Sequence, residues 1–396
     1  MVKYYSLRLW PYAISSFLYY GFIGCFISYL AMLLADRGFD SVEIGAVFAI
    51  YTLARVGMGQ VVAYLSDKKQ DHLSFYRHGL LGSMIFLIPC LFMPNSYWFL
   101  LFIILSLSCF MSIVSQIELL CLDAADGDAM TYNRVRIFGS LGFVICAIIM
   151  GQILDKSSPV AIIYFGIAVL LAGYFTSKKM TNYQHSKERE IPQTGFLSKC
   201  LSPVFIAFLL SSILLHISFA PFVGFFTQYL SLNGYKGLEV GVLFSLGAIA
   251  EMVLFLYAGA ILSRFGVRRL LIFGFMVTSI RWYLQGLYID NLTIVILTQC
   301  LHAFSFGLMH SVSVHFLRHY FEPAQQGRGQ FMYFGAAFGI GTAIGSLITG
   351  VTWQDGFGSE FTYTWAALLC LIGAMLIWLV PNNQFVLAME NTRNLS

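Results

Sequence analysis

The sequence predicts an all-α membrane protein with twelve transmembrane helices arranged as two pseudo-symmetric six-helix bundles. Of its 396 residues, 58% are hydrophobic and only 11% are charged, which leaves too little polar surface for a soluble globule of this size. Apolar runs of about 17 to 25 residues recur along the chain, and each is long enough to cross a hydrocarbon core of about 30 Å. The two halves of the chain also repeat one another.

The repeat is clearest between the segments 42–55 (VEIGAVFAIYTLAR) and 238–251 (LEVGVLFSLGAIAE), which lie 196 residues apart. The same offset, without a gap, relates glycines and aromatic residues through most of each half. At its end, the base Arg55 corresponds to the acid Glu251. An internal repeat of this length is typical of transporters built from two related bundles.

Twelve apolar windows define the predicted spans. In the first half they lie near 9–35, 44–65, 78–93, 98–122, 137–154 and 160–176, and in the second half near 203–230, 240–262, 270–287, 292–316, 331–351 and 362–379. The predicted domains are an N-terminal bundle over 1–176, a polar cytoplasmic linker over 177–199 and a C-terminal bundle over 200–396. Glycines in the fifth and eleventh spans predict close helix packing there.

Basic residues predict the orientation. Of the 23 Lys and Arg residues, 18 fall at the termini or in the connections on one side, three fall on the other side and two lie within helices. The positive-inside rule then places both termini in the cytoplasm. We expect a multi-pass protein of the plasma membrane, in bacteria the inner membrane, that is monomeric and binds no nucleic acid.

The sequence carries no sign of an enzyme. Its eight cysteines are single and mostly lie in apolar runs, which predicts buried small hydrophobes without metal or redox roles. No phosphate-binding loop, HExxH string or GxSxG elbow is present, so the machinery for ATP-driven pumping or hydrolysis is missing. We therefore expect no cofactor, with a proton gradient as the source of energy. Four tryptophans near predicted span ends, at 10, 98, 353 and 378, are expected to be interfacial anchors.

Three charged residues lie within apolar spans: Arg55, Glu251 and Arg281. A charge at mid-membrane costs about 2.5 to 3.5 kcal/mol on insertion scales, so such residues usually serve a solute or proton site. The alternative is a buried ion pair that locks the halves together. Because burial raises a carboxyl pKa and a nearby arginine lowers it, Glu251 is the first candidate to carry a proton, with Glu118 as the second. Trp282, beside Arg281, is a candidate to stack on a ligand.

The fifth span opens with RVRIFGSLGF. On a helix, Arg136, Ser140 and Phe143 share one face by the i, i+4, i+7 rule, which aligns a charge, a hydroxyl and a ring. Such a face suits a polar, ring-shaped solute. Alternatively, Arg134 and Arg136 are ordinary basic residues flanking a membrane span.

The RVRIFGSLGF string, with Glu118 eighteen positions before Arg136, resembles the branch of the major facilitator superfamily that contains lactose permease, nucleoside–proton symporters and phenylpropionate permeases. The resemblance covers the whole chain. It implies that Glu118 and Arg136 bind the solute, that Phe143 stacks on it and that Glu251 joins the site. It also implies roles for Arg281 and for His302, which is a proton-coupling candidate.

Two departures from that branch bear on function. A glutamate that handles protons in lactose permease is Ser305 here, so protons would be held by Glu251 or Glu118, with His302. A glutamine that accompanies the eighth-helix acid in nucleoside symporters is Ala248 here, which disfavours nucleosides. The loop signature of the superfamily is imperfect in both halves, but it predicts Asp67 and Arg264 as parts of a conformational latch.

The resulting prediction is a secondary active transporter that alternates access by rocking two bundles about a central site. We expect proton-coupled symport of a small organic anion, such as an aromatic acid like 3-phenylpropionate, because arginines outnumber acids among the candidate residues. A sugar or nucleoside symporter, an efflux carrier for drugs or metabolites, and a non-transporting receptor with the same fold remain alternatives. Three further helical histidines, His216, His310 and His315, are packing residues or solute contacts.

Overall fold

The computed structural model describes residues 2–93, 95–182 and 195–390, and within these ranges the chain forms helices and turns without a β-strand. In the first half the α-helices are α1 (Val2–Phe22), α2 (Leu30–Asp36), α3 (Ser41–Lys69), α4 (His72–Leu87), α5 (Tyr97–Met111), α6 (Val114–Ala124), α7 (Ala129–Leu154) and α8 (Ala161–Ser177). The later α-helices are α9 (Phe196–Cys200), α10 (Pro203–Leu232), α11 (Gly237–Phe255), α12 (Ala258–Phe265), α13 (Val267–Leu287), α14 (Leu292–His302), α15 (Met309–Tyr320), α16 (Gln326–Tyr333), α17 (Thr342–Trp353), α18 (Ser359–Leu379) and α19 (Asn382–Glu390).

Ten helical segments in the described ranges are long and apolar enough to cross a membrane. The third and sixth predicted spans correspond to the shorter helices α4 and α8, of 16 and 17 residues. The all-helical prediction is therefore confirmed for the described residues, whereas the count of twelve spans and their division into two six-helix bundles stay predictions. The third span also begins earlier than expected, because Asp71 caps α4 by accepting a hydrogen bond from the backbone N–H of Ser74.

Several helices are interrupted rather than continuous. A turn at residues 112 and 113 separates α5 from α6, and π-helical segments occur at Ile23–Ile27, Ala303–Leu308 and Phe334–Gly341. Such irregular turns inside helices recur at functional sites in other proteins. Here they lie in or next to the helices that supply Tyr20, Glu118, His302 and His310.

The described chain divides into two compact units. The first unit consists of Met1–Lys187 together with Gly224–Ser245, and the second consists of Glu188–Val223 together with Leu246–Ser396. The first unit therefore includes the end of α10 and the start of α11. The boundaries predicted at 176 and 200 stay predictions, and most of the predicted linker lies in 183–194, outside the described residues.

Glycines allow close helix contact, as the sequence predicts. A Cβ on Gly142 of α7 would lie 2.0 Å from the carbonyl oxygen of Phe17 in α1, and a Cβ on Gly345 of α17 would lie 2.5 Å from that of Ile217 in α10. No real Cβ approaches an oxygen so closely, so only glycine fits at these two positions. The first contact lies within the first unit and the second within the second unit.

Two expectations are corrected. Trp353 is not an interfacial anchor: it is 0% exposed, although Trp10, Trp98 and Trp378 are 48%, 67% and 64% exposed. The Trp353 ring packs against Tyr363 of α18, at 6.2 Å between centroids, so it is buried in protein. Cys300 is exposed rather than buried, because its side chain falls on the outer face of α14. A helix that is apolar all round gives no sequence signal for which face is buried.

Candidate functional site

Glu118 of α6 is the centre of a polar cluster in the first unit. Its Oε1 accepts a hydrogen bond from the Tyr20 hydroxyl and forms an ion pair with Arg136 Nε at 2.9 Å, and its Oε2 accepts a hydrogen bond from the Tyr132 hydroxyl. The Arg136 guanidinium also lies over the Tyr20 ring, with Cζ 4.0 Å from the ring centroid. Charge-assisted hydrogen bonds of this kind hold side chains in fixed positions. The Glu118 and Arg136 side chains are 28% and 35% exposed, so the cluster remains open to a solute.

Three helices bring the cluster together. Glu118 follows the break between α5 and α6, Tyr20 comes from α1, and Tyr132 and Arg136 occupy successive turns of α7. A Cβ on Gly139 would lie 2.6 Å from the Tyr20 ring and 3.0 Å from Arg136 Nη1. The absence of a side chain at Gly139 therefore leaves the space in which Arg136 stacks on the Tyr20 ring.

The sequence prediction placed Glu118, Arg136, Ser140 and Phe143 together, and successive turns of α7 do carry the last three of these. Ser140 and Phe143 are both half-buried. The Phe143 ring packs against Phe244, at 5.6 Å between centroids, which lies in the part of α11 belonging to the same unit. A ring at this position can contact a solute on the face that Phe244 does not cover.

Arg55 is half-buried on α3, also in the first unit. Within the described ranges it makes neither a hydrogen bond nor an ion pair. Its charge interacts with the hydroxyl groups of Tyr19 and Tyr51, and Tyr19 is also within electrostatic range of Glu118 and Arg136. Arg55 is therefore a half-buried cation of the first unit that has no acidic partner in the described chain.

Glu251 of α11 approaches His302, the last residue of α14, in the second unit. Their Oε2 and Nε2 atoms are 3.8 Å apart, and the side chains are 18% and 12% exposed. This separation exceeds a normal hydrogen bond. Two glycines make the approach possible, since a Cβ on Gly307 would lie 2.8 Å from Glu251 Cγ and one on Gly247 would lie 3.2 Å from the His302 ring.

Arg281 and Trp282 of α13 are both 0% exposed. The Arg281 Nε donates a 2.8 Å hydrogen bond to the carbonyl of Thr298, and its Cζ lies 4.3 Å from the Phe222 centroid and 4.2 Å from that of Trp282. Its two Nη atoms have no hydrogen-bond partner in the described part of the chain. Trp282 packs on protein rings and donates to the Ser218 hydroxyl at 3.2 Å.

Two rings join these parts of the second unit. Phe222 lies 5.2 Å from the His302 ring and 5.7 Å from Trp282, and Phe219 lies 6.1 Å and 5.0 Å from the same two rings. Glu251, His302 and Arg281 therefore belong to one aromatic-walled cluster. A change of charge at Glu251 or His302 would therefore change the electrostatic potential at the buried Arg281 guanidinium.

The two latch candidates are described separately. The Asp67 carboxylate is 64% exposed and lies 3.8 Å from His72 Nε2 within the first unit. Arg264 is exposed in the second unit and packs on the neighbouring ring of Phe265, at 5.4 Å. Their role as a latch stays a prediction.

The end of α7 meets the start of α11 inside the first unit. A Cβ on Gly151 would lie 2.1 Å from the carbonyl oxygen of Gly237, and one on Gly241 would lie 2.8 Å from that of Ala147. Beside this contact, Asp155 accepts hydrogen bonds from the backbone N–H of Gly237, at 2.6 Å, and of Leu238, at 3.0 Å. We call Gly151, Gly237, Gly241 and Asp155 the glycine seam.

Sequence reasoning missed Tyr20, Tyr132 and the glycine seam. Tyr132 precedes Arg136 by four residues, so the helical rule that grouped Arg136 with Ser140 could have found it. Tyr20 and Asp155 act on other helices and leave no local signal. In the described ranges, no group of three or more His, Cys, Asp or Glu residues is placed to hold a metal ion.

Comparison with known proteins identifies the family. The sequence profile of the MFS_1 like family matches residues 9–365. A probable 3-phenylpropionic acid transporter of Escherichia coli (strain K12) is 25% identical over 350 residues, which cover 86% of this chain and 90% of that protein. The xanthosine permease of the same organism is 19% identical over 392 residues, covering 92% of each chain.

Solved structures share the fold. The nucleoside transporter NupG superimposes with a TM-score of 0.82 at 17% identity, covering 94% of this chain and 98% of that chain. A D-xylose–proton symporter gives 0.70 at 11% identity, covering 96% and 99%. With ten apolar helices in the described ranges and a profile match over most of its length, the chain belongs to the MFS_1 like family of the major facilitator superfamily and is a multi-pass membrane transporter rather than an enzyme.

Proposed function

We propose that the protein is a proton-coupled symporter that takes up a small organic anion with an aromatic ring, of the 3-phenylpropionate class. The observation that carries this proposal is the balance of charge in the first unit. Arg136 is neutralised by Glu118, whereas Arg55, in the same unit, has no acidic partner in the described chain. A carboxylate on the solute would supply that partner through a bidentate pair of hydrogen bonds.

Rings near these charges suit an aromatic solute. Phe143 is half-buried one helical turn beyond Ser140, and the Tyr20 ring is held in place by Glu118 and Arg136. Offset or edge-on contacts between rings add about 0.5–1.5 kcal/mol each beyond the area that they bury. A relative of this chain is described as a probable 3-phenylpropionic acid transporter, which agrees with the chemistry of the cluster.

Glu251 with His302 is the proposed proton-coupling pair. The carboxylate and imidazole lie 3.8 Å apart and both keep some exposure, so a proton entering from water can reach them. Protonation would cancel the charge of Glu251 inside the cluster that contains Arg281. Protonation of Glu251 therefore changes the free energy of transferring the pair between water and the protein interior. Coupling of proton binding to a conformational change requires such a difference.

The glycine seam is proposed as a closure that must open during each transport cycle. In the repeat, Asp40 caps its own helix α3 by accepting from the backbone N–H of Glu43 at 2.8 Å, but the corresponding position of the second half is Lys236. The start of α11 is capped instead by Asp155 of α7. Because Asp155 lies on a different helix, its cap on α11 forms when the seam closes and is lost when the seam opens. Such a cap contributes about 1 kcal/mol.

The distribution of basic residues among the loops supports an extracytoplasmic location for this closure. Lys156 and Lys236 next to the seam belong to the loops that carry few basic residues. The seam would then close the extracytoplasmic side, with both termini in the cytoplasm and the protein in a bacterial inner membrane. Rocking of the two predicted bundles would open it.

Uptake by proteoliposomes tests the proposed function. With an inward proton gradient, labelled 3-phenylpropionate should accumulate above its external concentration, and a protonophore should abolish the accumulation. Arg55→Gln should remove uptake, whereas Arg134→Gln, an exposed arginine of α7, should retain it. Binding without accumulation would instead favour a receptor, and lowered internal solute in expressing cells would favour an efflux carrier.

Substitution at the glycine seam tests the closure. Gly151→Leu places a side chain where even a Cβ would meet the Gly237 oxygen at 2.1 Å, so it should hold the seam open and slow uptake strongly. Gly57→Leu is the matched control, because a Cβ on Gly57 meets nothing within 4 Å. Equal uptake by the two variants would reject a role for the seam in transport.

A neutral sugar or nucleoside is the second candidate solute. Glu118 and the hydroxyl groups of Tyr20 and Tyr132 could bind sugar hydroxyls, and the relatives include a maltose permease of Geobacillus stearothermophilus, 22% identical over 267 residues, as well as the xanthosine permease. If labelled maltose or xanthosine accumulates and 3-phenylpropionate does not compete, the transported solute is a neutral sugar or nucleoside rather than the proposed anion.

A further inference from the structure

A groove lies on the surface of the first unit, between the first half of α1 and the end of α8. The residues that form its two walls are Trp10, Pro11 and Ile14 on the α1 side, and Phe175, Thr176 and Lys179 at or just after the end of α8. The space between the walls is about 360 Å³, which is at the lower end of the roughly 300–1,000 Å³ typical of ligand clefts. Neither the Glu118 cluster nor the glycine seam contributes a residue to it.

Most of the groove is apolar and open to the surroundings. Trp10, Ile14 and Phe175 are 48%, 40% and 55% exposed. Trp10 and Phe175 lie at the ends of the first and sixth predicted spans, which is the level of the bilayer where acyl chains meet headgroups. The Trp10 ring packs edge-to-face with Phe138 of α7, at 5.4 Å between centroids. A groove at this level contacts both the chain and the headgroup of a lipid.

Two lysines lie at one end of the groove, directly after α8. Lys179 lines it, and the Nζ of Lys178 lies 5.1 Å from the centroid of the Phe175 ring, which is part of the wall. Both lysines are exposed, and neither forms an ion pair with a residue of the described chain. None of the described residues that line the groove is an acid. The positive charge at this end is therefore not neutralised by the described protein.

Other charged groups near the groove already have partners. The Nη2 of Arg77 donates a 2.7 Å hydrogen bond to the carbonyl of Ser177, so it satisfies a backbone oxygen at the C-terminal end of α8, where the helix dipole is negative. Arg8 of α1 forms an ion pair with Asp126 at 3.3 Å. The helix end and the acid are thus compensated by these two arginines, and the two lysines remain available for an external anion.

The backbone next to the lysines is fixed to α1. The Tyr12 hydroxyl donates to the backbone oxygen of Thr181 and accepts from its backbone N–H, both at 3.0 Å. Met180 is 4% exposed, and its sulfur accepts a 3.1 Å hydrogen bond from the Ser15 hydroxyl. Because the two residues after Lys179 are tied to α1, the backbone of Lys179 keeps its place beside the groove. Less conformational freedom is then lost when an anion binds.

We propose that the groove binds one phospholipid with an anionic headgroup, from the leaflet that the basic residues predict to be cytoplasmic. Its phosphate lies between Lys178 and Lys179. Its glycerol esters lie beside the Trp10 indole, and one acyl chain follows Ile14 and Phe175. A zwitterionic phospholipid fits the apolar walls equally well, but it brings a cationic group toward the two lysines and therefore binds more weakly.

Native mass spectrometry of the purified protein in detergent tests the headgroup. When phosphatidylglycerol and phosphatidylcholine with identical chains are offered together, phosphatidylglycerol should be retained about 5- to 25-fold more, because each lysine near an anionic lipid contributes roughly a factor of five. Lys178→Gln combined with Lys179→Gln should lower this ratio by about the same factor. Lys68→Gln combined with Lys69→Gln, which removes two exposed lysines at the end of α3, should keep the native ratio. An equal loss in both double variants would overturn the site.

Quenching of tryptophan fluorescence locates the bound lipid. Phosphatidylglycerol brominated along its acyl chains should quench the native protein more than brominated phosphatidylcholine does. The excess should disappear in Trp10→Phe and remain in Trp98→Phe, which removes an exposed tryptophan of α5. An excess that survives Trp10→Phe would overturn the proposal.

A free phosphate compound is distinguished from a lipid by competition. Glycerol 3-phosphate carries the charge without the acyl chains, so it should not displace the brominated phosphatidylglycerol. Displacement at millimolar concentration would show that the lysines bind a soluble phosphate and would overturn the lipid as the occupant. Neither measurement involves the transported solute, so failure of the lipid site leaves the proposed function standing.

Discussion

Glu118 and Arg281 are both charged groups inside a membrane protein, but their surroundings stabilise the charge in opposite ways. Both Glu118 oxygens are engaged, by Tyr20, Tyr132 and Arg136, and the side chain keeps 28% exposure. Arg281 is 0% exposed, has only Nε hydrogen-bonded, and lies between two rings. The first arrangement is a pre-organised, open polar site, and the second is a buried charge whose surroundings respond to a change at Glu251 or His302.

The difference suggests a division of labour. A site that recognises a solute gains from side chains already held in place, because fewer rotamers have to be ordered on binding. A coupling site gains from a charge whose environment can change. We therefore propose that the first unit recognises the polar end of the solute and that the second unit couples transport to protons.

The largest expected effect is at Glu251. Glu251→Gln removes the ionisable group while keeping its size, so uphill accumulation driven by a proton gradient should be lost while exchange of labelled for unlabelled solute continues. Glu360→Gln, an exposed acid at the start of α18, should leave accumulation intact. Unchanged uphill transport by Glu251→Gln would show that Glu251 does not couple transport to protons and would contradict the proposed division between the two clusters.

Arg136→Gln should weaken solute binding by roughly 30- to 100-fold. The change removes the ion pair with Glu118 and leaves that carboxylate without its cation, which we place at about 2–3 kcal/mol after allowing for partial exposure. Binding measured by a thermal shift or by competition gives the value. Arg134→Gln is the control on the same helix, and a similar loss for both variants would show that the effect is general electrostatics rather than the cluster.

Arg281→Met should change the melting temperature by only about 2–3 °C, although it removes a fully buried charge. Desolvation of a guanidinium costs several kcal/mol, but two ring faces at up to about 2 kcal/mol each and one hydrogen bond offset most of that cost. Arg136→Met, measured alongside, should melt earlier because it leaves Glu118 uncompensated. If Arg281→Met is instead the less stable of the two, the buried guanidinium is more strongly stabilised than its contacts imply.

The smallest expected effect is at the helix starts. Hydrogen bonds from Thr131 hold the pKa of Asp128 below its ordinary value of 3.8, whereas α14 of the second unit is capped by Asn291, which does not titrate. Because the folded-state pKa is the lower one, the cap stabilises fully above 3.8 and its contribution is lost as the pH falls through the folded-state value. The melting temperature of the native chain should therefore fall slightly more than that of Asp128→Asn between pH 6 and pH 3. Asp290→Asn should follow the native chain.

Local signals in the sequence were enough for much of the fold. Hydropathy gives most of the helices because a membrane span must satisfy its backbone hydrogen bonds internally and present apolar side chains to lipid. Capping residues such as Asp40 and Asp71 act within a few residues of themselves, so helix starts can be predicted from them. The face shared by Arg136, Ser140 and Phe143 follows from helical geometry alone.

Contacts between distant segments could not be predicted in this way. The roles of Tyr20 and Asp155 depend on which helix lies opposite, and nothing in their own neighbourhoods along the chain indicates it. The burial of Trp353 and the exposure of Cys300 depend on how α14 and α17 are rotated and covered. Apolar helices that are hydrophobic on every side carry no periodic signal for that rotation.

The sequence by itself determined that the chain is a helical membrane protein with an internal repeat, and that Arg55, Glu251 and Arg281 are charges within apolar spans. Composition and insertion cost settle those points because they depend on each residue and the lipid, not on neighbours. Only the tertiary structure decided that Glu118 is saturated by two tyrosines and an arginine, that Arg281 is enclosed by rings, and that Asp155 caps a helix of the other half. These outcomes depend on short-range contacts between helices, which form only once the chain has packed.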